Sequence, residues 1–342
     1  MFTQISKMIM PHYPLTTGES DTSADTPAFD YLRVSVTDRC QLNCAYCRPL
    51  PQPLAEAPRL LTGPELVACC AAICGAAPIR KIRLSGGEPL LRADLPELIA
   101  ALTRLPGDPE VTLTTNGVLL AERAVELAAA GLSRLNVSLD TADHASYERL
   151  TKSPALGRVL RGLEAARAAG FCGTKLNAVL LSSLQTCELQ ALLAVAADHG
   201  AILRLIELMP LGLDSAFYAA QHVPFAEALR RVSAAAHLVT QAAPDDSNPH
   251  HRLLATMADG RAVTVELIAP MSRPFCHDCR RVRRSCDGQL LPCLLSPARL
   301  AFVDKHRRPP DLPAVRALLH RCAALKQRAD DLTTQRMWAI GG

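Results

Sequence analysis

The strongest constraint on the fold is an alternation of strand-like and helix-like segments over residues 31–209. Short runs in which apolar residues alternate, such as YLRVSV at 31–36, are followed by segments of helical periodicity, such as 119–131, which ends at a glycine. Six such units follow one another at a spacing of roughly 25–35 residues, which favours parallel strands joined by helical crossovers. Because a complete barrel needs about eight units, six predict either a partial, open barrel or a doubly wound sheet.

The alternation stops at about residue 210, and the chain divides into three predicted parts. Residues 1–29 contain a small, polar and acidic stretch, TTGESDTSADTP, and we interpret them as a flexible leader. Residues 30–210 form the predicted barrel. Residues 211–342 carry more proline, a basic cluster and several cysteines, and they form a predicted C-terminal subdomain.

Composition excludes several classes of protein. The chain has 342 residues, 49% of them hydrophobic, which is enough for a sizeable core and too apolar for a mostly disordered protein. No apolar run reaches the roughly 18 residues of a membrane span, and the N-terminus lacks the pattern of a signal peptide. We therefore expect a cytoplasmic protein with no membrane partner. A net charge of +4 and 4% aromatic residues also give little support to a nucleic-acid partner.

Thirteen cysteines in a chain without a sign of secretion indicate metal binding rather than disulfides. Three of them, Cys40, Cys44 and Cys47, follow the first predicted strand, where α/β folds hold their chemistry. Three thiolates leave one iron of a 4Fe–4S cluster open to a non-protein ligand, and this favours a catalytic cluster. The alternatives are a zinc site completed from elsewhere and simple buried thiols.

A second triplet has basic neighbours. It consists of Cys276, Cys279 and Cys293, and it too is one ligand short of a full cluster set. Arg281 and Arg283 lie between these cysteines, and their alternation puts both on one side of an extended segment. Guanidinium groups suit phosphate, so an anionic ligand is indicated. A solvated basic face or a nucleic-acid patch is the alternative.

Several cations occur inside predicted strands, where an unpaired charge is costly. They are Arg33, Arg83, Lys175 and Arg204, and Lys81 shares a strand face with Arg83. Such cations would converge on a polyanionic ligand in a water-poor site. The alternative interpretation is that each belongs to a structural salt bridge.

The motifs resemble a known family. CQLNCAYC, with an aromatic residue before the third cysteine, resembles the signature of the radical S-adenosylmethionine (SAM) superfamily. SGGEP at 85–89 resembles the motif by which that superfamily binds the SAM amino group. Within the superfamily, the chain resembles the GTP 3′,8-cyclase family of molybdenum cofactor biosynthesis from residue 31 to residue 342. The matching stretches are YLRVSVTDRC, KIRLSGGEPLLR, LTTNG, LNVSLD, KLNAVLL, LRLIELMP, FCHDCRRVR and the terminal IGG.

This resemblance implies an α/β fold, an incomplete (βα)6 radical SAM barrel with a C-terminal subdomain that carries a second iron–sulfur cluster. It implies a lyase that uses two 4Fe–4S clusters and SAM. The deoxyadenosyl radical would take a hydrogen from C3′ of GTP, and attack on C8 would lead to 3′,8-cyclo-7,8-dihydro-GTP. The implied partners are the GTP substrate, a downstream cyclic pyranopterin monophosphate synthase, an electron donor and possibly a second copy of the chain in a homodimer.

The resemblance also implies residue roles. The first cluster would be held by Cys40, Cys44 and Cys47, and the second by Cys276, Cys279 and Cys293. Contacts to SAM would come from Tyr46, Gly87, Ser138 and Met209. GTP would be bound by Arg33, Lys81, Arg83, Thr114, Lys175, Arg204, Arg281 and Arg283. The catalytic residues would be Arg281, Arg283 and the terminal Gly341 and Gly342.

One departure and two alternatives stay open. Cys286 lies between Cys279 and Cys293, where the family usually has a small non-ligating residue, and we expect it not to ligate. One alternative function is another radical SAM enzyme with an auxiliary cluster, such as a peptide modifier. The other is a non-enzymatic metal-binding protein with a basic nucleic-acid face.

Overall fold

The computed structural model describes residues 29–47, 60–242, 251–276 and 279–326. The predicted leader and the terminal glycines Gly341 and Gly342 therefore lie outside the described residues, apart from residue 29. The strands are β1 (Tyr31–Ser35), β2 (Lys81–Ser85), β3 (Glu110–Thr115), β4 (Arg134–Ser138), β5 (Lys175–Leu180), β6 (Ile202–Glu207), β7 (Leu238–Gln241), β8 (His251–Thr256), β9 (Ala262–Ile268), β10 (Arg281–Arg284), β11 (Gln289–Leu291) and β12 (Leu300–Ala301).

These strands form one sheet in the order β12-β11-β10-β1-β2-β3-β4-β5-β6-β9-β8-β7. Strands β1 to β6 are parallel, as the βα alternation predicts. The order is linear and ends at β12 and β7, so the sheet does not close into a complete barrel. The prediction of an open, incomplete arrangement is confirmed.

The helices are α1 (Gly63–Ala76), α2 (Leu95–Leu102), α3 (Leu120–Ala129), α4 (His144–Thr151), α5 (Leu156–Ala168), α6 (Thr186–Asp198), α7 (Ser215–Gln221), α8 (Phe225–Ala235) and α9 (Leu312–Lys326). The sequence analysis did not predict α4. Its sequence, HASYERLT, has little apolar periodicity, and a local cap starts it instead. The Asp143 carboxylate accepts a hydrogen bond from the Ser146 N–H at 2.8 Å, which satisfies a backbone donor of the first turn.

Side chains of the central strands alternate between an apolar and a polar face. Leu32, Val34, Ile82 and Leu84 are at most 1% exposed and belong to the main hydrophobic core, together with Ile73 of α1. The intervening residues point to the opposite face, which is rich in cations. The hydrophobic core therefore stabilises the sheet from the helix side and leaves the other side for a polar site.

The chain beyond residue 210 extends both edges of the same sheet. Strand β10 adds to β1 and β9 adds to β6, each in parallel, while β7, β8, β11 and β12 are antiparallel. The division into parts at about residue 210 stays a prediction. Among the described residues, no helix is long and apolar enough to cross a membrane.

We predict that Leu84→Ala destabilises the protein by about 2–5 kcal/mol, because it removes a completely buried side chain and leaves a cavity. Leu91→Ala is the matched control, because Leu91 is 42% exposed, and it should cost less than about 0.5 kcal/mol. Urea unfolding followed by circular dichroism measures both. Equal midpoints for the two variants would contradict this assignment of the core.

Candidate active site

The two cysteine triplets lie at opposite ends of the sheet interior. Cys40 follows the carboxyl end of β1, whereas Cys279 precedes the amino end of β10. The two strands are parallel, with Tyr31 opposite Arg281. The length of β1 therefore separates the two ends, which at about 3.3 Å per residue is about 13 Å. A molecule between the triplets would contact the polar face of the strands.

The first triplet groups its thiols closely. Burial raises the pKa of Cys44 well above its ordinary value, and Asp140, Cys47 and Cys40 raise it further by charge repulsion. The side-chain amide of Asn116 points a donor at the Cys40 sulfur, 3.7 Å away. An iron that neutralised the thiolates would relieve this repulsion, so the arrangement fits a metal cluster.

The second triplet also fits. Burial raises the pKa of Cys276, and Cys293 and Cys279 raise it further. Burial alone would also raise the pKa of Cys279, but the ammonium of Lys326 and the N–H and charge of Arg281 lower it overall. The Cys293 sulfur accepts a hydrogen bond from the Leu295 N–H at 3.4 Å. Donors aimed at sulfur favour the thiolate, the form that binds iron.

A single ion fits these residues less well than a cluster. Within the described ranges, which omit His277 and Asp278, no three His, Cys, Asp or Glu side chains converge on one metal position. The thiolates of an iron–sulfur cluster have no such need, since each binds a different iron. The donor set of both triplets therefore suits a 4Fe–4S cluster.

Cys286 lies at the other end of β10 from Cys279. It follows the carboxyl end of that strand, where Arg284 is opposite Val34. Burial raises the pKa of the Cys286 thiol to about 11, Asp38 and Asp287 add to the shift, and the thiol hydrogen-bonds the Ser35 side chain. The length of β10 thus separates Cys286 from the second triplet, which supports the expectation that it does not ligate.

The glycine motif holds the loop that carries the first triplet. The Gly87 N–H donates to the Thr37 carbonyl at 2.7 Å, and the Glu88 N–H donates to the Arg39 carbonyl at 2.6 Å. A Cβ on Gly87 would lie 2.1 Å from the Arg39 carbonyl oxygen, so only glycine permits this approach. The close approach is thus made to the backbone just before Cys40.

The Glu88 carboxylate connects this loop to β3. It is completely buried and accepts hydrogen bonds from the Thr115 hydroxyl at 2.7 Å, the Asn116 N–H at 2.7 Å and the Leu90 N–H at 2.9 Å. Burial raises its pKa to about 7, although these three donors oppose the shift. Protein donors therefore already occupy the carboxylate that the sequence motif associates with the SAM amino group.

The residues proposed for SAM all lie at the carboxyl ends of strands. Gly87 follows β2, Ser138 ends β4, and Met209 follows β6, packed against Leu211, Leu291 and Leu294.

Tyr46 lies in the loop after β1, and its hydroxyl donates to Asp140 at 2.8 Å. The other Asp140 oxygen accepts from the Val179 N–H at 2.8 Å, so Asp140 ties the loop to β5. The structure brings these residues to the same edge as the first triplet.

Three arginines from adjacent strands, one buried (Arg283) and two partly buried (Arg33 and Arg83), face one another below that edge. Arg33 is opposite both Arg83 and Arg283 in the strand register. Burial lowers the pKa of Arg33 well below its ordinary value, and repulsion from Arg283 adds to the shift. Burial and Arg281 likewise lower the pKa of Arg283. Cations that repel one another in this way create a strong attraction for an anion.

Tyr31 reports the same positive field. Its ring centroid lies 5.8 Å from the Lys81 ammonium and 5.5 Å from the Arg83 guanidinium. Burial alone would raise the pKa of the Tyr31 phenol, yet the net shift is downward. The lowering comes from the charges of Arg83, Arg33, Lys81 and Arg281.

Other cations of the interior are paired with carboxylates. Glu266 of β9 accepts from Lys175 at 3.1 Å and from Arg204 at 2.9 Å. Burial raises the pKa of Glu266, but Arg204 and Lys175 together lower it to about 2. Lys81 pairs with Glu110 at 3.0 Å. The salt bridges considered as an alternative are thus present for these three cations, and they orient the ammonium and guanidinium groups.

Several polar atoms face this interior without a partner. Among the described residues, the Nε of Arg33, the hydroxyl of Thr114 and the amide oxygen of Asn177 are buried and make no hydrogen bond. The Asn136 amide, turned so that its nitrogen reaches the Leu135 carbonyl, accepts from Arg83 at 2.7 Å. Buried polar groups are normally satisfied, so these atoms indicate a polar ligand.

The arginines around the second triplet differ in position. Arg281 and Arg283 face the interior, and the Arg281 guanidinium lies 5.1 Å from the Phe275 ring centroid. Arg280 is exposed and pairs with Asp30 at 3.3 Å. Arg284 is completely buried on the opposite face, where its charge acts on Cys69 and Cys70 of α1. These four residues therefore do not form one solvated basic face.

Two family descriptions match the chain in succession. "Radical SAM superfamily" matches residues 34–195, and "Molybdenum Cofactor Synthesis C" matches residues 201–332. A protein named GTP 3′,8-cyclase from Rhodopirellula baltica is 35% identical over 100% of this chain and 98% of its own length.

The chain belongs to the GTP 3′,8-cyclase family of radical SAM enzymes.

Further members of the GTP 3′,8-cyclase family agree. The relative from Pelotomaculum thermopropionicum is 38% identical over 87% of this chain and 91% of its own length. The one from Acidothermus cellulolyticus is 42% identical over 78% of this chain and 74% of its own. The resemblance inferred from the motifs is confirmed.

Solved structures support the fold of this family. The crystal structure of Streptococcus suis SuiB bound to S-adenosylmethionine has a TM-score of 0.57 and 14% identity to this chain. It covers 81% of this chain, and this chain covers 61% of it. At that identity the likeness concerns the fold alone, and the predicted radical SAM barrel is confirmed.

Three residues that organise this site were not predicted from the sequence. Asp140 orients Tyr46, Glu266 pairs with Lys175 and Arg204, and Tyr31 packs against the cations of β2. Asp140 and Glu266 are acidic residues at the end of a buried strand and within one, respectively. That costly placement is the signal that could have identified both.

We predict that Gly87→Ala displaces the loop before Cys40, because the added Cβ would overlap the Arg39 carbonyl. Overpacking of this kind should cost about 1–3 kcal/mol. The reconstituted variant should also lose about four irons, those of one cluster. Gly75→Ala is the control, since its Cβ would meet no atom closer than 3.8 Å. Full iron content in Gly87→Ala would show that the close approach of Gly87 to Arg39 does not position the first triplet.

We predict that Glu266→Gln destabilises the protein by about 3–5 kcal/mol, because it leaves the buried Arg204 and the partly buried Lys175 without their buried carboxylate. Glu110→Gln is the matched control, since the Glu110 side chain is 28% exposed and its pairs are partly solvated. It should cost no more than about 1 kcal/mol. Denaturant midpoints compare the stability of the two variants. A similar loss of stability in both would show that the ion pairs of Glu266 contribute no more than those of Glu110.

Proposed function

We infer that this chain converts GTP to (8S)-3′,8-cyclo-7,8-dihydroguanosine 5′-triphosphate, the first step of molybdenum cofactor biosynthesis, as a radical SAM lyase. Membership of the GTP 3′,8-cyclase family supports this function. The observation that carries it is a surface of buried and partly buried, mutually repelling cations between two cysteine triplets. A triphosphate supplies the negative charge that such a surface lacks.

We propose that Cys40, Cys44 and Cys47 hold the first 4Fe–4S cluster. Bound there, the cluster and SAM would supply the radical chemistry by which hydrogen is taken from C3′ of GTP. Tyr46, Gly87, Ser138 and Met209 would contact SAM from the carboxyl ends of their strands. The hydrogen bond from Tyr46 to Asp140 keeps the aromatic ring fixed beside the thiols. Rigid positioning of this kind lowers the barrier of a reaction between two bound molecules.

We propose that GTP lies between the two cysteine triplets. Its phosphates would meet cations from five strands, namely Arg33, Lys81, Arg83, Lys175, Arg204 and Arg283, together with the hydroxyl of Thr114. Arg283 is buried and Arg33 is partly buried, and the limited access of water strengthens the attraction of their charges for phosphate. Glu266 and Glu110 would hold their partner cations in place before the substrate arrives.

We propose that Cys276, Cys279 and Cys293 hold the second 4Fe–4S cluster, which would supply a binding position for the guanine end of GTP. Arg281 and Arg283 would then line the reacting ribose and base. The roles of Gly341 and Gly342 at the same site stay a proposal based on the family. The electron donor, the homodimer and the cytoplasmic location also stay proposals. The same holds for a downstream cyclic pyranopterin monophosphate synthase that consumes the product.

The proposed function is tested with anaerobically reconstituted protein. The assay mixes GTP, SAM and a reductant and measures 5′-deoxyadenosine and the cyclised nucleotide. We expect about eight irons per chain, since each of the two clusters holds four, and deoxyadenosine release that depends on GTP. Deoxyadenosine without GTP consumption would contradict the function.

We predict that Arg83→Met weakens GTP binding about 100-fold, which corresponds to about 2.7 kcal/mol, because it removes a partly buried cation from the proposed phosphate site. Arg280→Met is the matched control. It removes the same charge from an exposed position and should change the dissociation constant less than about twofold. Anaerobic equilibrium dialysis with GTP measures both. Equal dissociation constants would show that the phosphates bind elsewhere.

A further inference from the structure

A lysine of the last helix contacts a cysteine of the second triplet. Lys326 ends α9, and its ammonium lies 2.8 Å from the Cys279 carbonyl oxygen and 3.3 Å from the Cys279 sulfur. An ammonium has three donors, and two of them are directed at this one residue. Lys326 is therefore held at the sulfur and does not extend freely into solvent.

An aromatic ring holds the same ammonium from another side. The Lys326 nitrogen lies 4.9 Å from the centroid of the Phe29 ring, just before β1. The face of an aromatic ring attracts a cation at this distance. Lys326 thus has defined contacts with two separate segments, and both lie at the amino end of the β1 and β10 pair.

We propose that Lys326 is a positioning residue for the second iron–sulfur cluster. Its ammonium donates a hydrogen bond to the ligating sulfur of Cys279 and raises the reduction potential of the cluster. The proposal rests on the proposed function, because it takes Cys279 as a cluster ligand. It assigns a role to a residue outside the cysteine and arginine motifs.

The charge of Lys326 acts on the cluster electrostatically. Hydrogen bonds to cluster sulfurs and nearby charge are among the factors that set the potential of an iron–sulfur cluster. Reduction adds negative charge to the cluster, and a cation at hydrogen-bond distance from its sulfur stabilises the reduced form more than the oxidised form. Without Lys326, the sulfur keeps its contact with the Arg281 N–H but loses a full positive charge.

The test isolates the second cluster in the full-length chain. Cys40, Cys44 and Cys47 are replaced by alanine, so that only the second triplet can assemble a cluster. In this background the variants Lys326→Met, Lys326→Arg and Lys305→Met are reconstituted anaerobically. Lys305 is an exposed lysine of the loop before α9 and controls for loss of one charge. The measurements are iron content and a redox titration followed by electron paramagnetic resonance.

We expect Lys326→Met to lower the equilibrium constant for one-electron reduction about tenfold, a shift of about 59 mV to more negative potential. Lys326→Arg keeps the charge and should stay within about threefold of the background, and Lys305→Met should not differ from it. Iron loss from Lys326→Met but not from Lys326→Arg would also support the positioning role.

Other outcomes overturn the inference. A Lys326→Met titration identical to the background shows that the lysine does not influence the cluster. Iron loss from both Lys326 variants, in protein with unchanged circular dichroism, also contradicts a role for its charge. A background protein that binds no iron instead refutes the second triplet as a cluster site, and the proposed function fails with it.

Discussion

Repulsion between buried and partly buried guanidinium groups is the interaction on which the site depends. Arg33, Arg83 and Arg283 come from three adjacent strands whose register brings them together. Such an arrangement costs free energy unless an anion completes it. The opposite face of the same strands carries Leu32, Ile82 and other buried apolar side chains, and their burial stabilises the sheet. The hydrophobic core thus fixes the strands whose opposite face presents these cations.

Two sets of hydrogen bonds fix the position of the first triplet relative to that sheet. The Gly87 and Glu88 backbone holds the segment before Cys40, and the Glu88 carboxylate ties it to β3. Asp140 ties the segment after Cys44 to β5 through Tyr46 and the Val179 N–H. Hydrogen bonds to neighbouring strands therefore set the conformation of the loop that carries Cys40, Cys44 and Cys47.

The sequence allowed much of this to be anticipated, and the misses have physical reasons. The βα alternation predicted six parallel strands, because hydrophobic periodicity directly reflects which face is buried. Helix α4 was missed because its start depends on the Asp143 cap rather than on periodicity. The pairing of Glu266 with Lys175 and Arg204 was missed because a contact between distant segments depends on strand order, which periodicity does not encode.

The sequence by itself determined the chemistry that is present: two cysteine triplets, a glycine pair and cations inside strands. These features can be read directly from the sequence. Cysteines only a few residues apart, such as Cys40, Cys44 and Cys47, lie near one another in any fold. Only the tertiary structure decided the arrangement of these parts. The parallel pairing of β1 with β10 puts the triplets at opposite ends of the strands and Cys286 away from the second one. Residues about 250 positions apart become neighbours only when the sheet forms, because long-range strand pairing sets their register.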